Sequence, residues 1–190
     1  DWAGGGRTLL AGRHEKPWLH VSHESGKTWK QLPDRWRRHT GLGIFSDKIF
    51  VNSTERSGIH RTTDGGESWE KVADDTAHGI VQALDGNGYW ISRRGVLVSE
   101  DQGKTWKVQG QSIHGLRGPC FGRNADHMIV LSRNGFMETT DGGESWELKA
   151  HRPVEHDVDI TMNFAFDPVR RILYSQQGGT PMLMLKLNGD

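Results

Sequence analysis

The sequence predicts an all-β fold: a β-propeller of about five four-stranded blades, the first and last incomplete, or a large piece of a bigger propeller. Three observations predict it. A Trp-ended octapeptide recurs four times, starting at residues 22, 62, 99 and 139, which is blade spacing. Glycine supplies 25 of 190 residues and long helical patterns are few, which favours tight turns between short strands. The stretches between the octapeptides break into short strand-like runs, about three per unit.

The octapeptides align without gaps, and each position has a mechanical reason. They carry Ser22, Glu24, Gly26 and Trp29; Thr62, Asp64, Gly66 and Trp69; Ser99, Asp101, Gly103 and Trp106; and Thr139, Asp141, Gly143 and Trp146. The acidic side chain accepts hydrogen bonds from backbone N–H groups of the turn. Glycine takes the backbone angles a tight hairpin needs. The Ser and Thr hydroxyls close the remaining local bonds, and Trp opens the outgoing strand and covers the sheet. These residues are folding staples rather than catalytic groups, and Glu24 in the first copy is expected to loosen its turn.

The pattern resembles the Asp-box, or BNR, repeat of the sialidase-like superfamily, Ser/Thr-x-Asp-x-Gly-x-Thr/Ser-Trp. The blades are expected near 1–33, 34–74, 75–110, 111–151 and 152–190 of one domain. The second has strands at 41–46, 48–52 and 58–62, then 69–72 after the box. The third has 79–84, 88–92, 96–99 and 106–108, and the fourth 116–121, 127–132, 136–139 and 146–149. The fifth has 161–166, 171–175 and 182–187 and no box. The ends are expected to be irregular. Either the last blade has three strands, or the chain is cut from a longer propeller.

Composition excludes several classes. The 24 basic and 24 acidic side chains cancel, with no block of like charge, so neither a nucleic-acid groove nor a polybasic membrane patch is expected. No apolar run approaches the ~20 residues that span a bilayer. The N-terminus has no basic region leading into an apolar one, so no signal peptide is read there; a mature exported protein would look the same. The lone Cys120 rules out an internal disulfide framework.

In propellers the innermost strand lines a central channel. The loops leading into it share a face with those joining the second and third strands, opposite the boxes. On that resemblance, His39, His78, His114 and His156 precede innermost strands and converge at the channel mouth. Arg13, Arg56, Arg93, Arg94 and Arg133 reach the same face, with His14 and Glu15 in the first loop. Neutral imidazoles suit zinc or copper, so a metal ion is one reading of the cofactor question. The arginines suit a carboxylate, sulfate or phosphate instead. A third reading is one structural histidine copied by duplication, bonding a backbone carbonyl in each blade. His20, His23, His60, His127 and His151 read as surface or packing residues. Trp18 and Trp36 fall near the same loops and could stack on a sugar, while Trp90 and Tyr89 also lie outside the boxes. Asp74 with Asp75 and Asp157 with Asp159 read as solvated loop acids rather than a glycosidase pair.

The resemblance takes in sialidases, xyloglucan-active hydrolases, sortilin-like receptors and photosystem II assembly factors, and the fold does not choose among them. A sialidase needs a Tyr nucleophile with a Glu, three arginines and a Phe/Tyr-Arg-Ile-Pro motif. Here there are two tyrosines, Tyr89 and Tyr174, and no Arg-Ile-Pro. The expected function is therefore a non-catalytic propeller binding an anionic glycan, a metal or a protein partner at a His/Arg-lined mouth. The rivals are a glycan-active hydrolase or lyase, and a structural blade array that pairs with another chain through an open strand edge. Asp-box propellers are often exported, so the resemblance implies an extracellular or periplasmic protein.

Overall fold

The computed structural model describes residues 2–3, 7–13, 16–33, 36, 38–151, 162–177 and 182–187. Among them all regular structure is β. The first sheet runs β1 (Trp2–Ala3), β2 (Thr8–Gly12), β3 (Leu19–Ser22), β4 (Lys30–Gln31). The second blade is β5 (His39–Ile44), β6 (Phe50–Thr54), β7 (Gly58–Thr62) and β8 (Glu70–Ala73). The third is β9 (Ala77–Leu84), β10 (Asn87–Ser92), β11 (Gly95–Ser99) and β12 (Lys107–Gln109). These two join through β5 and β9, which pair in parallel. The fourth is β13 (Gly115–Phe121), β14 (Met128–Ser132), β15 (Gly135–Thr139) and β16 (Glu147–His151). A three-stranded sheet follows: β17 (Met162–Asp167), β18 (Ile172–Gln177) and β19 (Leu183–Lys186). Antiparallel sheets in chain order, each starting from an inner strand, are the blades of a β-propeller.

The strand expectations differ from the structure mainly at the turns. Each outgoing strand starts one residue after its Trp, because the indole belongs to the turn. β6 starts at Phe50 rather than residue 48, since the Phe45 N–H donates 2.9 Å to the Ile49 carbonyl and holds 45–49 as a hairpin loop.

The octapeptide turns form as the residue types dictate. At 62–69, Asp64 Oδ1 accepts from the Thr62 hydroxyl at 2.6 Å and the Ser68 N–H at 3.0 Å, and Oδ2 from the Ser68 hydroxyl at 2.5 Å. Thr62 Oγ1 accepts from the Gly66 N–H at 3.0 Å, and the Trp69 indole N–H donates to the Gly66 carbonyl at 3.0 Å. Gly66 sits at φ +96°, a conformation that L side chains rarely adopt. Asp101 and Asp141 repeat this set with Ser99 and Thr105, and with Thr139 and Ser145. Hydrogen bonds from Ser145 and Thr139 hold the Asp141 carboxyl down at about 2. At Asp101, burial pushes the other way but is outweighed by bonds from Thr105 and Ser99, leaving it at about 2. In the first copy Ser22 Oγ still accepts from the Glu24 and Gly26 N–H groups, and Thr28 Oγ1 donates to Glu24 Oε2 at 3.1 Å. Among the described residues, no backbone N–H bond to the Glu24 carboxylate matches those at Asp64, Asp101 and Asp141. The extra methylene alters the carboxylate's reach, and Trp29 is left 45% exposed.

Contacts divide the chain into two compact units, Asp1–Ser92 with Leu97–Lys107, and Arg93–Val96 with Val108–Asp190. In the first, Leu10, Leu19, Val21, Leu32, Ile44 and Phe50 form a core with Leu42 and Trp69 against it. Fully buried Trp90 packs against Trp106 with ring centroids 5.5 Å apart. Gly41 lets β5 approach β9, since a Cβ there would stand 2.6 Å from Trp90 Cζ2 and 2.7 Å from the Gly79 carbonyl oxygen. In the second unit, Leu116, Ile129, Leu131, Phe136, Leu173 and Leu187 form the core, with Phe136 and Phe164 edge to face at 5.4 Å. Buried Glu138 bonds His127 Nε2 at 2.8 Å and Arg171 at 3.1 Å there. Burial would raise its carboxyl, but these bonds hold it below its usual value.

Candidate functional site

Within the first unit, the loop leading into β5 and the turn after β6 lie at one end of the sheet. The Glu55 N–H donates to the Arg38 carbonyl at 3.1 Å, and the Arg38 guanidinium pairs with the Glu55 carboxylate at 2.7 Å. The lead-in to β9 joins them, with Thr76 Oγ1 3.4 Å from the carbonyl oxygens of Thr54 and Glu55. Thr54 shapes the turn by accepting from the Ser57 N–H at 3.2 Å, and exposed Arg56 lies between Glu55 and Ser57. In the second unit the Arg133 N–H donates to the His114 carbonyl at 3.2 Å, and the Ser112 hydroxyl to the Arg94 carbonyl at 2.7 Å. Arg93, Arg94 and Arg133 are exposed. In each unit, therefore, arginine-bearing turns are tied to loops leading into inner strands.

The histidines occupy three different strand positions. His39 pairs with Thr54 across β5 and β6. The residue in that place is Ala77 in the third blade, opposite Ser92, and Gly115 in the fourth, opposite Ser132. His78 comes one residue after this position and His114 one before it. His39 is buried, and its Nδ1–H donates to Asn52 Oδ1 at 2.9 Å, a side chain rather than a backbone carbonyl. His78 and His114 are half-buried. Among the described residues, no three His, Cys, Asp or Glu side chains gather to hold a metal ion, and His156, His14 and Glu15 lie outside those residues.

The other singled-out residues have plain roles. The exposed Arg13 guanidinium lies 5.2 Å from the Trp18 ring centroid, over a ring 44% exposed. Trp36 is 4.3 Å from the His60 ring and edge-on to Trp69 at 5.7 Å, so its faces are partly used in packing. Trp90 and Tyr89 are core. Asp74 pairs with Lys71 at 2.5 Å on the surface, while Asp157 and Asp159 lie outside the described residues. Burial pushes the Cys120 thiol up to about 11, which keeps it protonated at neutral pH.

Sequence reasoning missed a buried polar row in the second blade. Asn52 and His60 are cross-strand partners in β6 and β7, both buried, and His39 joins them through Asn52. Burial and the nearby Lys71 charge lower the His60 pKa. The available signal was Asn52 itself, a polar side chain in a strand centre where the fourth blade pairs Val130 with Met137.

All-β blades, with arginine turns tied to lead-in loops within each unit, define the chain as a β-propeller in architecture. No protein-family model matches the chain. Among curated proteins, the photosystem II assembly lipoprotein Ycf48 of Synechococcus sp. (strain CC9902) is 29% identical over 165 residues, covering 78% of this chain and 47% of that protein. The chain thus spans about half the length of the curated relative it matches. Among solved structures, Ycf48 bound to D1 peptide has a TM-score of 0.59 at 18% identity, over 88% of this chain and 58% of that one. The GH74 enzyme of Niastella koreensis has a TM-score of 0.64 at 17% identity, over 95% and 28%. Ycf48 from Cyanidioschyzon merolae has 0.62 at 14%, over 99% and 70%. These likenesses show the propeller fold. They also correct one expectation: the relative is a photosystem II assembly lipoprotein, so an extracellular or periplasmic location drawn from the Asp-box resemblance is not supported.

Proposed function

We propose that this chain is a non-catalytic propeller of the Asp-box type that binds an extended segment of a protein partner at the blade ends that carry its arginine turns, with Arg13, His39, Arg56 and His78 in the first unit and Arg93, His114 and Arg133 in the second. The observation that carries this reading is the tie between arginine turns and lead-in loops within each unit, Glu55 to Arg38 and Arg133 to His114. Such ties fix the loop backbone from which exposed arginines project, and guanidinium groups suit carboxylates on a partner. The likeness to a Ycf48 structure holding a D1 peptide supports a protein over a glycan. The GH74 likeness is one of fold and carries no chemistry of its own.

Titrating a fluorescent D1 peptide into the full chain tests this. Binding is expected, and replacing His78 and His114 together by Ala is expected to weaken it with Tm nearly unchanged. Turnover of neutral or acidic polysaccharides, with no peptide binding, would replace this reading with the hydrolase one.

A further inference from the structure

The second blade buries two side-chain atoms that no protein group satisfies. Asn52 is 0% exposed and His60 6%, yet Asn52 Nδ2 and His60 Nδ1 have no hydrogen-bond partner among the described residues. Buried polar atoms without partners are costly, which is why nearly all are satisfied by protein or by internal water. The two residues are directly opposed in β6 and β7, so their side chains leave the sheet on the same face with Cβ atoms roughly 4.5–5.5 Å apart. One small molecule bridges such a gap.

The chemistry of the two atoms selects the ligand. Because His39 Nδ1–H donates to Asn52 Oδ1, the Asn52 amide presents its N–H side elsewhere, as a donor. His60 is held toward its neutral form by burial and by Lys71, against a ring N–H bond to the Gly58 backbone; Nδ1 has no partner, so that N–H is Nε2–H and Nδ1 is an acceptor. A ligand that accepts from one and donates to the other must be neutral and able to do both. A fully deprotonated anion offers no donor, a protonated oxyanion is larger than the gap between opposed strand residues suits, and a metal cation is repelled by the amide N–H. The Trp36 ring, 4.3 Å from that of His60, narrows the space further.

We propose that Asn52 and His60 hold a single internal water molecule, accepting from Asn52 Nδ2–H and donating to His60 Nδ1. It completes a relay from His39 on the inner strand, through Asn52, to His60 on the third strand. The water fixes both tautomers: Nδ1–H at His39 and Nε2–H at His60.

Long-range 1H–15N spectra of the uniformly labelled full chain at neutral pH read both tautomers directly. Signals are assigned by their loss in His39→Gln and His60→Gln. A crystal structure shows whether density for one water lies within hydrogen-bond reach of both atoms. The expected result is Nδ1–H at His39, Nε2–H at His60 and one spherical peak between Asn52 and His60. In Asn52→Val the peak should vanish and the His39 pattern change. Nδ1–H at His60 in the unsubstituted protein, an empty gap, or density for a larger solute would each overturn the proposal. Those readings need no variant at residue 52, so a failure of Asn52→Val to fold leaves the test intact.

Discussion

Arg61 Nε donates to the carbonyl oxygen of Gln102 at 3.0 Å, so a buried guanidinium in the second blade holds the octapeptide turn of the third. Val21 and Val98 stand at the same place before their octapeptides, and Glu138 does so in the fourth blade, where it reaches Arg171. A charge here therefore links neighbouring blades within a unit. Arg61→Met keeps much of the aliphatic stem and removes the donor. It is expected to cost about 1.5–3 kcal/mol, the range for hydrogen bonds of charged groups, read by chemical denaturation. An unchanged midpoint would show that the turn is held by its own bonds.

Thr62 is expected to matter through its oxygen rather than its methyl group. Its hydroxyl accepts from the buried Gly66 N–H and donates to Asp64. Thr62→Val keeps the shape and strands that N–H, a loss of roughly 1–3 kcal/mol. Thr62→Ser should recover most of it in the same denaturation series.

Gly41 and Gly12 make a paired test of close packing. A Cβ at Gly41 would meet Trp90 at 2.6 Å, whereas at Gly12 the nearest atom, Leu42 Cδ1, is at an ordinary 3.4 Å. Gly41→Ala is expected to destabilise by about 1–3 kcal/mol through overpacking, and Gly12→Ala to move Tm far less. Equal effects would mean that β5 and β9 are not in intimate contact.

Acid should act in two separate windows. The folded pKa of His60 lies below its ordinary 6.5, so the unfolded chain binds the extra proton first as pH falls. Stability tied to neutral His60 is therefore present above about 6.5 and declines as pH drops below it. His60→Leu, the residue at that place in the third blade, should flatten the slope of stability between pH 7 and 5. Asp101 and Asp141 are held at about 2, below the ordinary 3.8. Their contribution is present above 3.8 and is lost as pH falls toward 2, and Asp101→Asn should flatten that lower limb.

The blades were legible because the octapeptide states its own mechanics. Thr62, Asp64, Gly66 and Trp69 bond to one another over eight residues, so no distant contact is needed to read the turn. The strand ends were less legible, since Phe45 and Ile49 close a loop that residue types alone do not mark. The positions of the histidines on their strands were less legible for a related reason. Chain spacings of 36 to 42 between them look periodic, yet a one-residue offset in a strand turns a side chain to the other face. His39 and His78 differ by such an offset, visible only in the pairings with Thr54 and Ser92. Asn52 and His60 lay 8 residues apart with no motif, and only the β6–β7 register brings them together.

The most direct test of the binding role is fluorescence anisotropy of a labelled D1 peptide against the full chain and a variant with Ala at Arg56, Arg93 and Arg133. Saturable binding that falls at least tenfold in the variant, with circular dichroism unchanged, is the predicted result. Peptide binding that ignores those three arginines would contradict it, as would no binding at all by a folded chain.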